Sequence, residues 1–373
     1  MSIRITEENN MALNWIKSIN INHFKGIENL KLNDLKRINL IIGDNNSGKT
    51  TLLEAIHLLK APNSLSNILK TTRLRDEKQL NIYESFKTFL SKENKIDIHV
   101  KGNYLDYSLN LVGEEEKIIL TEKDTFEFSK VLKNNETKSK KEVETIAFLG
   151  NLKSNINGKY NNKKIKVTPF SRILSNKNDD EIEMKYLSPI NHMVEDVFLN
   201  IVSNDKYKKV CINLIRQFDS NIEDLLYMKN SIDGTAMEYV LDKKLGFRPL
   251  YSYGDGIRKV LSIANAMMES INGILLIDEI DTSIHYSHYE NIFNFIFMAA
   301  EELQIQLFIT THSDEAIEWI LKTQNYGDNY DISKEKLNVI TLRKNIDGTI
   351  LARSMAGHEV LEVKEKIDFE VRS

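Results

Sequence analysis

Three near-continuous apolar runs punctuate the chain: Ile38-Asn39-Leu40-Ile41-Ile42, Ile274-Leu275-Leu276-Ile277 and Leu307-Phe308-Ile309-Thr310. Runs of this kind suit strands buried on both faces of a parallel sheet. Each ends on polar residues, where an open α/β sheet places its ligands. Ahead of the first run, Trp15 to Phe24 and Asn29 to Leu35 read as short strands around a Lys25-Gly26 turn. Behind it, Asp97 to Val100, Tyr104 to Val112 and Lys117 to Leu120 alternate as meander strands, whereas Glu183 to Asn204, Tyr207 to Gln217 and Asn221 to Met228 carry helical spacing. The pattern predicts an α/β core in two halves, 1–120 and 235–373, separated by an inserted, mostly helical lobe over 121–234. Sustained heptads are missing, which argues against a coiled-coil arm. Near the end, Leu337 to Leu342 and Thr349 to Arg353 read as a hairpin turned at Asn345-Ile346-Asp347-Gly348.

Composition narrows the class. A length of 373 residues with 41% hydrophobic and 28% charged residues fits a globular protein with a large core and a second lobe. The most apolar helical stretch, Ile292 to Ala300, is interrupted by Asn294 and is too short to span a bilayer. Met1 to Ala12 carries Glu7 and Glu8 where a signal peptide needs an apolar run, so a cytoplasmic location without membrane partners is expected. Cys211 is the single cysteine, which excludes an intrachain disulfide and a cysteine-rich zinc site. Net charge is −4, yet Ser129 to Phe170 holds ten lysines against Glu136, Glu142 and Glu144. Two readings of that segment stand: an electrostatic footprint for a nucleic-acid backbone, or a solvated, Asn- and Lys-rich helix and loop.

The sharpest chemical signal is Gly43-Asp44-Asn45-Asn46-Ser47-Gly48-Lys49-Thr50, a full match to G-x-x-x-x-G-K-[ST]. It follows an apolar strand and opens a helix, Thr50 to Leu59. Its glycines let backbone N–H groups curl around phosphate oxygens, and the helix N-terminus adds partial positive charge. Lys49 is expected to bridge the β- and γ-phosphates of ATP, and the Thr50 hydroxyl to ligate Mg²⁺, with Thr51 beside it. Asp278 and Glu279 end the second apolar run. Asp278 suits Mg²⁺ held through water, and Glu279 suits a general base that polarises the attacking water. Tyr251-Ser252-Tyr253-Gly254-Asp255-Gly256 precedes a helix, Ile257 to Met268, and reads either as a phosphate-binding helix cap or as an ordinary Gly-rich N-cap. Asn176-Lys177-Asn178-Asp179 matches a guanine-recognition tetrapeptide but lies in a polar, Asn-rich stretch after the wrong landmarks. His285 and His288 have helical spacing without an evident third ligand.

These residues resemble the ABC-type P-loop ATPases, and within them the overcoming-lysogenization-defect (OLD) group and its RecF and SMC relatives. The resemblance rests on Asn22-His23-Phe24-Lys25-Gly26-Ile27, on Gly43 to Ala55, on Gly254 to Lys259 and on Asp278-Glu279-Ile280-Asp281. It covers roughly the first 120 and last 130 residues, about the ATPase core alone. It implies an ABC-type ATPase core with an inserted, mostly helical lobe. Ser252 and Gly254 stand in the places of the signature serine and second glycine, which in the family meet the γ-phosphate held by the other protomer. Asp281 stands in the dimer-facing D-loop, and His312, after Thr310-Thr311, in the place of the switch histidine. Gln79 lies in the broad region of the family's Q-loop, but its surroundings do not fix that assignment.

The resemblance implies an ATP- and Mg²⁺-dependent ATPase that pairs as a homodimer or higher oligomer around ATP. OLD-group ATPases often work with a TOPRIM nuclease, fused or separately encoded. The tail after His312 offers no Asp-x-Asp and is too short for that domain. The expectation is therefore a sensor or scaffold of a two-component bacterial antiphage complex, with no nuclease activity of its own and a separately encoded effector. The competing expectation is a RecF- or SMC-like DNA-repair ATPase that binds DNA through its basic segment.

Overall fold

A computed structural model describes residues 15–72, 82–121, 142–171, 182–190, 198–229, 236–323 and 336–367. Gln79, the Asn176-Lys177-Asn178-Asp179 stretch and the lysines at 130, 133, 138, 140 and 141 lie outside the described residues.

In chain order the strands are β1 (Ile16–Phe24), β2 (Ile27–Leu32), β3 (Ile38–Ile42), β4 (Lys95–Gly102), β5 (Asp106–Thr121), β6 (Glu142–Ile156), β7 (Lys159–Val167), β8 (Met184–Leu187), β9 (Ile222–Lys229), β10 (Ala236–Asp242), β11 (Gly246–Pro249), β12 (Ile274–Ile277), β13 (Gln306–Thr310), β14 (Leu337–Lys344) and β15 (Ile350–Ala356). The helices are α1 (Lys49–Leu58), α2 (Leu65–Thr71), α3 (Ile82–Lys87), α4 (Phe198–Val202), α5 (Asp205–Ile215), α6 (Asp255–Glu269), α7 (Tyr289–Glu302), α8 (Asp314–Thr323) and α9 (Gly357–Ile367). They build an antiparallel sheet β2-β1-β4-β5-β6-β7, a small sheet β11-β10-β9, and a central sheet β15-β14-β3-β13-β12-β8. In the central sheet only β15 runs antiparallel to its neighbour.

The apolar runs behave as a doubly buried sheet requires. All of β3, β12 and β13 is buried. Alternate residues serve opposite faces: Ile41, Leu276 and Phe308 pack toward the antiparallel sheet with α1, whereas Leu40, Ile42, Leu275, Ile277, Leu307 and Ile309 pack toward α6, α7 and α8. The α/β class and the ABC-type core expected from the sequence are those observed. The terminal hairpin forms as read, with the Asn345 N–H donating to the Thr349 carbonyl at 2.8 Å. Beyond the expectation, its first strand joins the central sheet parallel to β3. Ile292 to Ala300 lies within α7, with Ile292, Phe293, Ile296 and Ala300 buried. No described helix is long and apolar enough to cross a membrane.

The middle of the chain departs from the helical reading. Asn221 to Met228 is not a helix; β9 occupies Ile222–Lys229 and pairs with β10 over its length. Ile222, Leu225 and Leu226 suit a helical stripe, but sheet pairing decides, because period alone does not separate short strands from helices. Glu183 to Asn204 is likewise not one helix: it begins as β8, seated beside β12 in the central sheet. Strands β6 and β7 extend the antiparallel sheet, and the two expected strands between Tyr104 and Leu120 are one continuous β5. Among the described residues from 121 to 234, helix is confined to α4 and α5.

One buried side chain ties the two large sheets together. Gln306, fully buried at the start of β13, accepts from the Ile16 N–H and donates to the Ile16 and Lys36 carbonyls, at 2.8, 2.8 and 2.9 Å. A leucine there fills similar volume and leaves those backbone groups unpaired, which costs the desolvation of each buried one. Gln306→Leu is expected to lose about 3 kcal/mol of stability, read as a lowered urea midpoint with an unchanged denaturant slope.

Candidate functional site

The loop from Gly43 to Gly48 leaves the end of β3 and enters α1. Two of its glycines are structural necessities. At Gly43, with φ +144°, a Cβ would stand 2.2 Å from the Leu342 carbonyl oxygen of β14. At Gly48, with φ +98°, it would stand 2.6 Å from Ile350 Cδ1. The loop is thus pressed against the terminal hairpin, and only a bare backbone fits. Asp44, Asn45 and Asn46 are exposed at its tip, and Asn46 takes a left-handed conformation with φ +67°. Ser47 is buried, with its hydroxyl unpartnered, and Thr51 is half-buried in the first turn of α1.

Lys49 is buried, and its Nζ donates to the Gly43 and Asp44 carbonyls at 2.6 and 2.9 Å. Burial holds its pKa below the usual lysine range, opposed by the carboxylates of Asp278, Glu279, Asp44 and Asp281. The predicted phosphate-binding lysine and the predicted acidic residues therefore share one electrostatic environment.

Asp278, just past β12, is 1% exposed, and its carboxylate collects three hydroxyls. Thr50 donates to Oδ2 at 2.9 Å, Tyr186 to Oδ2 at 3.0 Å and Thr310 to Oδ1 at 2.7 Å. Thr310 also accepts the Glu279 N–H at 2.8 Å. That bond holds Glu279 at φ +50°, a left-handed conformation that costs a β-substituted residue roughly 1–2 kcal/mol. Glu279 is half-buried there, and its carboxylate accepts from the Thr282 hydroxyl at 3.5 Å. Farther on, Asp281 accepts from the Thr311 hydroxyl, and its carboxylate lies 4.0 Å from His312 Nδ1, which is half exposed. Asp278, Glu279, Asp281, Thr310 and His312 thus converge at the carboxyl ends of β12 and β13, beside Thr50.

The Ser252 turn lies just ahead of α6. Ser252 lies in a short 3₁₀ turn, Leu250–Ser252, and its hydroxyl donates back to the Pro249 carbonyl at 2.7 Å. The N-cap of α6 is Gly254, without a side-chain cap, and Asp255 occupies the first turn. Ser252 is therefore not the capping hydroxyl: Pro249 has taken it. The helix start meets the acidic segment instead, since a Cβ on Gly256 would lie 3.0 Å from the Ser283 carbonyl oxygen. His285 and His288 make ring contacts with Tyr286 and Phe218, and among the described residues no three His, Cys, Asp or Glu side chains cluster as metal ligands.

Tyr186 and Thr310 were not singled out in the sequence. Thr310 ends an apolar run beside His312, a position the strand-end argument could have assigned. Tyr186 sits on a four-residue strand without flanking chemistry and gives no local signal.

A family profile described as "AAA domain, putative AbiEii toxin, Type IV TA system" matches residues 38–318, most of the chain and every element of this site. The chain belongs to this family. This AAA-family ATPase is 26% identical over 332 residues to an ATP/GTP phosphatase of Helicobacter pylori, covering 81% of this chain and 86% of that protein. A 45-residue stretch is 49% identical to the DNA replication and repair protein RecF of Idiomarina loihiensis, covering 12% and 13% of the two chains. The fold matches an SMC head solved with the C-terminal winged-helix domain of ScpA, with a TM-score of 0.51 at 13% identity, over 93% of this chain and 99% of that one. The AAA-family ATPase thus shares its fold with an SMC head and a short stretch of sequence with RecF. Its residues fit a nucleotide: Gly43 and Gly48 leave no room for side chains, the buried Ser47 hydroxyl has no partner among the described residues, and Lys49 Nζ rests on loop carbonyls it can exchange for phosphate oxygens. Thr50 and Asp278, side by side, fit the oxygen ligands of Mg²⁺.

Behind the site, His57 of α1 is buried, bonds through Nδ1 to the Thr71 hydroxyl and packs edge-on against the Tyr186 ring. Burial, reinforced by Lys60, drives its pKa down to about 3. The unfolded chain takes up that proton near pH 6.5 and the folded chain near 3, so stability is complete above 6.5 and declines as pH falls through this window. The slope is at most about 1.4 kcal/mol per pH unit for this group. Urea midpoints at pH 7 and pH 5 are expected to differ less in His57→Gln than in the wild type.

Proposed function

We propose that this chain binds ATP with Mg²⁺ between its phosphate loop and Asp278, hydrolyses it after two copies pair, and serves as the sensor or scaffold of a two-component antiphage complex. The observation that carries the catalytic part is the Thr50–Asp278 bond, which brings phosphate loop and acidic strand end within hydrogen-bond distance. Bound Mg²⁺ supplies neutralisation of charge on the β- and γ-phosphates. Lys49 turns from the Gly43 and Asp44 carbonyls to phosphate oxygens. Glu279, half-buried beside the phosphate loop, takes the proton of the attacking water. His312, held near Asp281, hydrogen-bonds the γ-phosphate. Gly254 and Ser252 lie exposed at the start of α6, and the reading places them against the nucleotide of a second copy, with Asp281 at the same interface.

The OLD-like, defence-related part of the reading rests on the family description, which names a toxin of a type IV toxin–antitoxin system. In this reading the chain acts in the cytoplasm, ATP closes the dimer, a separately encoded effector docks on it, and the chain cuts no nucleic acid itself. Glu279→Gln is expected to bind ATP, to turn over at least about 100-fold more slowly and to elute as a stable dimer with ATP. Lys49→Ala is expected to remain monomeric under the same conditions. Wild-type turnover by Glu279→Gln, or dimers indifferent to ATP in both variants, would remove the reading.

A second reading, a DNA-binding repair ATPase, is favoured by one surface. Ile165 and Val167 of β7 point into the core, so Tyr160, Asn162, Lys164 and Lys166 share the opposite face. Cross-strand pairing sets Asn151 opposite Lys164 and Lys153 opposite Asn162 on that face. Lysines, amides and Tyr160, 82% exposed, form a face suited to a phosphate backbone with a stacking ring. If DNA binds there, Lys153→Glu with Lys164→Glu weakens binding at least about tenfold in 50 mM salt and flattens its salt dependence. A fluorescence-anisotropy salt series measures both.

A further inference from the structure

The site contains one charged side chain that none of these roles uses. Lys259, in the second turn of α6, is 1% exposed, and among the described residues its Nζ has no hydrogen-bond partner. Burying a lone ammonium is among the costliest arrangements a fold can hold, and it persists only where other charges compensate it. The compensation is identifiable. The carboxylates that act most strongly on its charge are, in order, Asp281, Asp278 and Glu279, the three acidic residues converging at the ends of β12 and β13. Burial still outweighs them and brings its pKa down to about 8.

The neighbourhood explains why the lysine is there. Asp278 accepts from three hydroxyls, and Asp281 from the Thr311 hydroxyl. Lys49, whose Nζ donates to two loop carbonyls, acts on the same carboxylates from the phosphate-loop side. Like charges at the ends of β12 and β13 repel one another, and a positive charge in the same low-dielectric region offsets that repulsion through space without a hydrogen bond. Its placement on α6 is fixed by the close approach of Gly256 to Ser283, which seats this helix against the acidic segment.

We propose that Lys259 is the resident counter-charge of the Asp278–Glu279–Asp281 cluster and that it sets, by repulsion, how tightly the nucleotide site takes a divalent cation. This rests on the reading of Thr50 and Asp278 as the cation's ligands. Lys259 touches neither cation nor phosphate and is a positioning and tuning residue, not a catalytic one. Because it rides on the helix that begins at Gly254, any shift of that helix on dimer closure changes the distance between this charge and the carboxylates. Cation affinity is then coupled to the state of the helix.

The test separates this role from that of a merely misplaced lysine, because the two predict opposite signs. Mn²⁺ binding to the full chain with a non-hydrolysable ATP analogue is followed by electron paramagnetic resonance, and stability by urea midpoint with and without Mn²⁺. Lys259→Met is expected to bind Mn²⁺ on the order of tenfold tighter than wild type, to have a lower urea midpoint without Mn²⁺, and to recover it when Mn²⁺ is added. Lys259→Arg keeps the charge and is expected to retain wild-type Mn²⁺ affinity. Should Lys259→Met not fold, Lys259→Gln carries the same expectation for Mn²⁺. Unchanged Mn²⁺ affinity in the neutral variant, with a raised midpoint from removing a buried charge, overturns the proposal alone. Wild-type protein that binds no more Mn²⁺ than Asp278→Asn removes the cation-site reading, and the proposal with it.

Discussion

Two oxygen atoms of Asp278 register three separate parts of the chain. Thr50 arrives from the start of α1, Tyr186 from β8 and Thr310 from the end of β13, and each donates a hydroxyl to the same buried carboxylate. A buried carboxylate is tolerated only when its lone pairs are filled. The phosphate loop, the acidic strand and both of that strand's neighbours must therefore keep a common register, and any element that slipped would leave the charge exposed to an apolar interior. The central sheet supports this demand with continuous burial on both faces, so that β12 cannot shift by one residue without reversing Leu275 and Leu276 between the two cores. Gln306 performs the equivalent service at the other end of β13, where it fixes the antiparallel sheet to the central one.

The loop before α1 is shaped by what lies behind it as much as by what it binds. Gly43 touches the backbone of β14 and Gly48 the side chain of Ile350 on β15. The terminal hairpin is therefore the wall that holds the loop's curve. Its contribution to nucleotide binding is indirect, through the one conformation of the loop that a packed wall permits.

The sequence made most of the core legible because its signals are local. A glycine-lysine loop between an apolar strand and a helix, or an Asp-Glu pair ending a buried run, carries its context within a dozen residues. Tyr186 had no such context: Met184-Lys185-Tyr186-Leu187 is too short to show a period, and its role comes from pairing with a strand about ninety residues away in sequence, at a register that nothing local encodes. Ile222-Glu223-Asp224-Leu225-Leu226 misled for the opposite reason. Its spacing is compatible with a helix, and only the presence of β10 as an antiparallel partner selects the strand. Ser252 fits the expected spacing, yet the Pro249 carbonyl satisfies its hydroxyl, and helix α6 begins three residues later. Spacing identifies which residues are neighbours, not which neighbour wins a hydrogen bond.

The same competition governs the chemistry of the site. Lys49 is satisfied by the Gly43 and Asp44 carbonyls, Thr50 by Asp278, and Asp281 by Thr311. In each case a group suited to a phosphate or a cation holds a protein partner. Engaging a nucleotide is consequently an exchange of hydrogen bonds, whose net free energy is the small difference between large terms. Affinity then depends on the groups that cannot be exchanged. Ser47 offers a buried hydroxyl with nothing to give up, and Lys259 carries a buried charge that no hydrogen bond holds. The first favours an incoming phosphate and the second opposes an incoming cation.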